Sequence, residues 1–243
     1  MKNKIIYLIL SVVIIILVII NISNYNNKNN TVIYEEKSLP EVKLSEGVRG
    51  SLGIDQNINE SNIDDYLGRS DSVYLDVRML EDSATWDNLE GGDKYLSGFI
   101  RGFEVVPRPY LLAFTDEYIN NLKEKGVTNF YDGNSLFTQK DDNTYVANYE
   151  ESLSILESIF PKDKNIFLMC GGGGYAGDIK KMLIALGWDE NKIRDIGGYW
   201  YYNGKNKIET KYEYNNKTYY NFSIVPYYDI NFKELHKINN EKE

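Results

Sequence analysis

The residues best suited to chemistry lie in one short segment around a single cysteine. An apolar run from Ile166 to Met169 is typical of a strand, which would deliver Cys170 to the start of a tight loop. The loop after it consists of four glycines and a tyrosine: Gly171, Gly172, Gly173, Gly174 and Tyr175. Successive glycines let backbone N–H groups converge on one point, and the dipole of the next helix adds partial positive charge there. Both effects favour a thiolate, so the sequence predicts a nucleophilic Cys170 beside a cradle for an anion.

Other interpretations of this segment lead to different chemistry. Cys170 could instead be a buried, inert residue beside a loop that only turns the chain. A nucleotide-binding P-loop fits poorly, because no Lys-Ser or Lys-Thr pair follows the glycines. A phosphatase with an arginine six residues after the cysteine also fits poorly, since that position is Ala176. Tyr175 either flanks a ligand with its hydroxyl or caps the loop.

The composition of the 243 residues excludes several classes of protein. One cysteine excludes a disulfide framework and a dithiol redox pair, and the single histidine, His236, excludes a Ser-His-Asp triad on the main body. The same scarcity argues against a Cys-rich or His-rich metal site, so we expect neither metal nor cofactor. The net charge of −9 argues against a nucleic-acid partner, whose phosphates need clustered lysine and arginine.

The elements that must position Cys170 alternate between strands and helices. The predicted strands are 73–77, 104–106, 166–169 and 193–196, and the predicted helices are 62–67, 116–125, 149–160 and the segment from the glycine loop to 187. This alternation predicts an α/β fold with a mainly parallel central sheet flanked by helices.

The remaining segments carry turn signals or charged residues. Residues 127–148 have the turn signals of a loop or hairpin, and a C-terminal β-hairpin is predicted around Asn215 and Asn216. The charged segment 229–243 is expected to be frayed, with His236 on the surface.

Four segments resemble, in order, the motifs of the rhodanese-like family, which comprises single-domain sulfurtransferases and their inactive relatives. They are Asp76-Val77-Arg78, the stretch from Gly98 to Pro107, Cys170 with its five-residue loop, and Asp195-Ile196-Gly197-Gly198. The resemblance covers residues 58–206. It implies a persulfide-forming cysteine at Cys170, with the loop from Gly171 to Tyr175 binding the substrate.

Asp76 and Arg78 are the supporting residues of this predicted site. They come at the carboxyl end of a strand, which is the edge of an α/β sheet where ligands bind. Two roles are open for the pair: an ion pair that orders the loop, or direct catalysis.

Three departures from the family's pattern bear on activity. Phe99 and Phe103 stand where a His and an Ala are usual, and the loop lacks the Arg or Lys that thiosulfate-using members carry. Arg101 or Arg108 could supply that charge from elsewhere in the chain. Two hypotheses follow. Because Cys170 is retained, the first is a sulfurtransferase that forms a persulfide on Cys170 and passes sulfane sulfur to a thiophilic acceptor. Because the loop lacks basic residues, the second is a non-catalytic rhodanese-fold module that binds a partner or an anion at the membrane.

The N-terminal segment predicts the cellular compartment of the domain. The apolar run from Ile5 to Ile22 exceeds a signal-peptide core of about 7–15 residues and lacks a good cleavage site, which predicts an uncleaved anchor. A cleaved signal peptide is the alternative. Lys2 and Lys4 favour a cytoplasmic N-terminus and an extracytoplasmic domain.

The expected ligand is a small sulfur-containing anion or a low-molecular-weight thiol. The predicted organisation is 1–22 anchor, 23–57 linker and unassigned segment, 58–206 rhodanese-like domain, and 207–243 hairpin and tail.

Overall fold

The structure is a computed structural model that describes residues 38–45, 49, 52–78, 97–124, 133–141 and 143–238. The chain divides into two units, Met1–Leu39 and Pro40–Glu243, and the described helices and strands all belong to the second. The predicted anchor, residues 1–22, lies outside the described residues. Among those that are described, no helix is both long enough and apolar enough to cross a membrane.

The four predicted core strands and the helices near 116–125, 149–160 and after the glycine loop are present, whereas the predicted helix 62–67 is only a 3₁₀ turn at Ile63–Asp65. The strands are β1 (Ser72–Asp76), β2 (Gly98–Ile100), β3 (Glu104–Val105), β4 (Phe137–Asp141), β5 (Thr144–Ala147), β6 (Asn165–Cys170), β7 (Ile193–Gly198), β8 (Lys207–Glu209), β9 (Lys211–Tyr214) and β10 (Lys217–Tyr220). The helices are α1 (Arg108–Leu111), α2 (Asp116–Glu124), α3 (Ser152–Ile159) and α4 (Gly174–Ala185). Short 3₁₀ turns include Ile63–Asp65 and Tyr199–Tyr201.

Four strands form the central sheet, in the order β3-β1-β6-β7, and every pair in it is parallel. Strand β6 lies in the interior of the sheet between β1 and β7, and Cys170 is its last residue. The α/β class and the parallel central sheet are therefore confirmed. The carboxyl edge of the sheet is the place where the cysteine emerges, as the sequence pattern requires.

The two faces of the sheet are buried by different partners. On one face, Leu168 of β6 belongs to a large apolar cluster that includes residues from α1, α3 and α4. On the other face, Tyr74 stacks on Phe167 with ring centroids 5.0 Å apart, and Phe103 meets Tyr74 edge-on at 5.5 Å. Burial on both faces explains why β6 is almost continuously apolar rather than alternating.

The segment that the sequence leaves unassigned, 31–57, contributes to this unit where it is described. The backbone N–H of Asp55 donates to the carbonyl of Asp195 on β7, at 2.8 Å. The Asp55 carboxylate pairs with the Arg194 guanidinium at 2.7 Å, and both side chains are buried. Arg194 also donates to the Pro40 carbonyl, so this ion pair fastens the start of the unit to the edge of the sheet.

The C-terminal hairpin forms where it is predicted. Strands β9 and β10 pair antiparallel, and the turn residues Asn215 and Asn216 have φ values of 49° and 60°. Asparagine tolerates this left-handed conformation better than most residues, which suits a two-residue hairpin turn. Strand β8, just before the hairpin, instead pairs antiparallel with β2. The segment 127–148 also contains a hairpin, formed by β4 and β5, while its residues 127–132 are not described.

The expectation of a frayed tail is wrong for residues 229–238. Ile230 is buried in the main apolar cluster, and Phe232 packs edge-on against Tyr110, 5.5 Å between centroids. The tail then pairs with the chain just before α3, where the backbones of Lys237 and Tyr149 form an isolated antiparallel β-bridge. Composition misses this docking because a few apolar residues among many charges suffice to anchor a short segment. His236 is exposed, as expected, and its ring pairs with a glutamate carboxylate at the start of α3.

Because the tail is docked, we expect the same Ile→Ala substitution at two of its positions to change the free energy of unfolding by unequal amounts. Ile230→Ala should lower the free energy of unfolding by about 2–3 kcal/mol, because it removes a buried side chain and leaves a cavity. Ile238→Ala should change it by less than about 0.5 kcal/mol, because this isoleucine is 39% exposed. Urea unfolding of the two variants measures the difference. Equal and small effects would mean that the tail does not dock.

Candidate active site

Cys170 sits where β6 ends and the glycine loop turns into α4. The backbone N–H of Gly173 donates to the Cys170 Sγ at 3.0 Å. Gly173 has φ +103°, a left-handed conformation in which a side chain would be strained, so this glycine allows the turn that aims its amide at sulfur. The amides of Gly172 and Ala176 also favour negative charge on the sulfur. The predicted convergence of backbone N–H groups on Cys170 is therefore present.

The charge state of Cys170 is nevertheless not the one expected from the loop. The side chain is only 2% exposed, and burial raises the pKa of the Cys170 thiol more than the amides lower it. The prediction of a lowered thiol pKa is thus wrong, because removing a charge from water costs more than three neutral N–H dipoles return. The resting residue is a neutral thiol.

The Trp200 side chain packs over the glycine loop. Its backbone N–H donates to the Gly171 carbonyl at 3.1 Å, and its indole lies where a Gly171 side chain would begin. The indole is also next to Gly172, while 53% of Trp200 remains exposed. The tryptophan lies in the 3₁₀ turn directly after β7, so the pairing of β6 with β7 carries it to the cysteine. An aromatic wall is therefore part of this site.

Aromatic side chains around Tyr175, on the first turn of α4, form a second side of the site. The Tyr175 hydroxyl lies 3.0 Å from the hydroxyl of Tyr118 on α2, and Phe114 stacks on Tyr118. Burial raises the pKa of the Tyr175 hydroxyl, so it stays protonated. Of the two open roles of Tyr175, its engagement with Tyr118 favours an ordering one. Nearby, the Arg108 guanidinium lies 4.3 Å over the Phe114 ring and 3.6 Å from the Asp178 carboxylate.

Arg49 is a cation that contacts the glycine loop. Its guanidinium donates to the Gly172 carbonyl at 3.3 Å, forms an ion pair with Glu60, and lies 3.7 Å over the ring of Tyr201. Of the two arginines that the sequence offers as sources of charge, Arg101 is exposed in the turn after β2, and the Arg108 guanidinium lies 6.0 Å from the ring centroid of Tyr175. Sequence reasoning missed Arg49 because it lies in the unassigned segment, far from the loop along the chain and without a motif around it.

Asp76 and Arg78 form a buried ion pair, and its described contacts are with Gly98 and Tyr199 rather than with the glycine loop. The Arg78 guanidinium donates to the Asp76 carboxylate and to the Gly98 carbonyl, at 2.7 Å each. Its carbon lies 4.4 Å from the ring centroid of Tyr199, the residue before Trp200. The pair thus joins β1 to β2 and supports the turn that carries the tryptophan.

Comparison with known proteins identifies no relative of this chain. The chain matches no protein-family model, no curated protein and no solved structure. The likeness to the rhodanese-like family therefore remains a prediction from motifs. Within the described part of the chain, no group of three or more His, Cys, Asp or Glu side chains is placed to hold a metal ion.

Two glycines near the site predict opposite outcomes for the same substitution. A side chain at Gly198 would collide with the backbone of Gly171 and Gly172, whereas Gly174 has open space around it. Gly198→Ala should therefore displace the loop and lower the free energy of unfolding by about 1–3 kcal/mol. Gly174→Ala is the matched control, and it should be neutral or stabilise by up to about 1 kcal/mol, because alanine favours the helix. Urea unfolding gives both values, and equal effects would contradict the close approach of the two loops.

Proposed function

We propose that the protein is a sulfurtransferase-like protein in which Cys170 forms a persulfide and passes its outer sulfur to a thiophilic acceptor. The observation that carries this proposal is the placement of Sγ at the end of β6, with the Gly173 N–H at 3.0 Å and the start of α4 directly beyond. Such a cradle stabilises negative charge on the cysteine sulfur and on a sulfur attached to it.

The reaction has two displacement steps. In the first, the Cys170 thiol loses its proton to solvent, and the thiolate attacks the sulfane sulfur of a donor. The new S–S bond forms as the bond between the sulfane sulfur and its carrier breaks, and the carrier leaves with the electron pair. In the second step a thiophilic acceptor attacks the outer sulfur, and Cys170 leaves as the thiolate. Two electrons shift in each step and no outside oxidant is needed.

The donor and acceptor are small sulfur compounds. Cys170 is 2% exposed, and the Trp200 indole lies against Gly171 and Gly172 of its loop, so a bulky group could reach the sulfur only if these surroundings rearranged. Neutral backbone amides bind an anion less strongly than charged donors do, because charge-assisted hydrogen bonds are roughly twice as strong. Arg49, at the Gly172 carbonyl, is the cation best placed to add charge. A sulfur-containing anion or a low-molecular-weight thiol therefore remains the favoured ligand class.

A second candidate function is a non-catalytic binding module of the same fold. Two observations favour it: burial raises the pKa of the Cys170 thiol, and Trp200 lies over the loop that a substrate would enter. In either case the predicted anchor, residues 1–22, would hold the unit at the cell membrane, on the extracytoplasmic side.

Persulfide chemistry is tested by the intact mass of the full-length chain after treatment with thiosulfate or polysulfide. We expect the mass of one added sulfur atom, lost on treatment with cyanide and not seen in Cys170→Ser. The serine variant is a close control because its hydroxyl can still accept the Gly173 N–H. No adduct from any sulfane donor, on folded protein, would refute the sulfurtransferase and leave the binding module.

The pH dependence of Cys170 alkylation tests the resting state of the thiol. Because its pKa is raised in the folded chain, the thiolate appears at higher pH than in the unfolded chain. The rate of alkylation by iodoacetamide should therefore rise with pH to a midpoint above that of the same chain in urea. The chain has one cysteine, so total label reports this residue alone. A folded midpoint at or below the urea value would show that the amides outweigh burial.

A further inference from the structure

A cavity lies between the last two turns of α4 and the N-terminal part of the unit. Its volume is about 460 Å³, within the range of about 300–1,000 Å³ that small-molecule sites have. Lys180, Lys181 and Ile184 line it from α4, and Leu44 and Leu52 line it from the N-terminal part. None of the described residues that line it belongs to the site around the cysteine, so the cavity is a separate feature of the fold.

Lys180 is the residue of this cavity that folding alone explains least. It is 1% exposed, and its amine forms no hydrogen bond or ion pair with any residue that the structure describes. Burial lowers the pKa of the amine, because the charged form has left water without gaining a partner. A buried polar group in this state costs free energy, whereas methionine, which has a similar length, would not incur that cost. Lysine at this position therefore favours ligand binding over stability.

Three carboxyl groups influence Lys180 electrostatically, and two of them are engaged elsewhere. Asp55 pairs with Arg194 at 2.7 Å, and the Asp195 carboxyl accepts a backbone N–H at 2.9 Å. The third, Glu190, is exposed and lines the same cavity. The amine is thus able to donate to an acceptor that enters the cavity.

The lining of the cavity fits an aliphatic ligand with one negative charge. Lys180 and Lys181 supply two cations and Glu190 supplies one anion, so a single carboxylate balances the charge. The aliphatic part of the lining consists of Leu44, Leu52, Ile184 and Ala185. Side chains of this kind bury a hydrocarbon chain favourably.

We propose that this cavity binds a small aliphatic monocarboxylate, with its carboxylate on the Lys180 amine and its chain against the leucines and Ile184. The amine then gains a charge-assisted hydrogen bond, which is roughly twice as strong as a neutral one. The ligand gains burial of its hydrocarbon chain. No step of the proposed sulfur transfer uses the cavity, so this proposal stands or falls independently of it.

The test is a titration of hexanoate into the full-length chain, followed by saturation-transfer difference NMR. We expect saturable binding of hexanoate. Acetate lacks the chain and hexylammonium has the opposite charge, so each should bind at least about ten-fold more weakly. No saturable binding of hexanoate would overturn the proposal. Equal binding of acetate would overturn it by showing that the chain is not recognised, and equal binding of hexylammonium would overturn it by showing that the charge is not.

Two variants place the carboxylate at Lys180. Lys180→Met should weaken hexanoate binding about ten-fold or more, because it removes the charge-assisted hydrogen bond. Ala185→Glu should also weaken it, because it adds a negative charge to the lining at an exposed position. Lys162→Met is the matched control: its side chain is 45% exposed and lies outside the lining, so binding should not change. Unchanged binding in Lys180→Met, or an equal loss in Lys162→Met, would overturn the proposal.

The stability of Lys180→Met separates a lysine kept for a ligand from a structural one. Without hexanoate, the midpoint of its urea unfolding should be equal to that of the unmodified chain or higher, because the buried amine has no partner to lose. A lower midpoint would show that the amine stabilises the fold and would overturn the proposal.

Discussion

The close approach of the loops after β6 and β7 is the constraint on which the site depends. Gly198 lies against the backbone of Gly171 and Gly172, where a side chain could not fit. This contact lets the Trp200 N–H reach the Gly171 carbonyl and lays the indole over the loop. Because the strands are neighbours in a parallel sheet, both loops emerge at the same edge. The cysteine, its amides and its cover are thus positioned by one pair of strands.

The electrostatics of the site result from opposing effects. The glycine-loop amides and the start of α4 favour a thiolate, whereas burial favours a thiol. Burial is the largest of these effects, so Cys170 rests as a neutral thiol.

Segments far from the cysteine in sequence complete the unit. The Asp55–Arg194 ion pair, both of whose side chains are buried, fixes the N-terminal part to β7. Arg49 then reaches the glycine loop from that same part. At the other end of the chain, Ile230 and Phe232 pack into the main cluster. The site therefore depends on residues far from it in sequence, and their contacts link it to the beginning of the unit.

The sequence by itself determined the α/β alternation, the position of Cys170 at a strand end and the hairpin turn at Asn215 and Asn216. Each of these is a local property, set by periodicity, by glycine or by turn chemistry within a few residues. Only the tertiary structure decided the burial of the thiol, the cover by Trp200 and the approach of Arg49. These depend on strand order and on which side chains exclude water, quantities that local pattern does not contain. The same reason explains the error about the thiol: the loop dipoles are visible in the sequence, but the depth at which they lie is not.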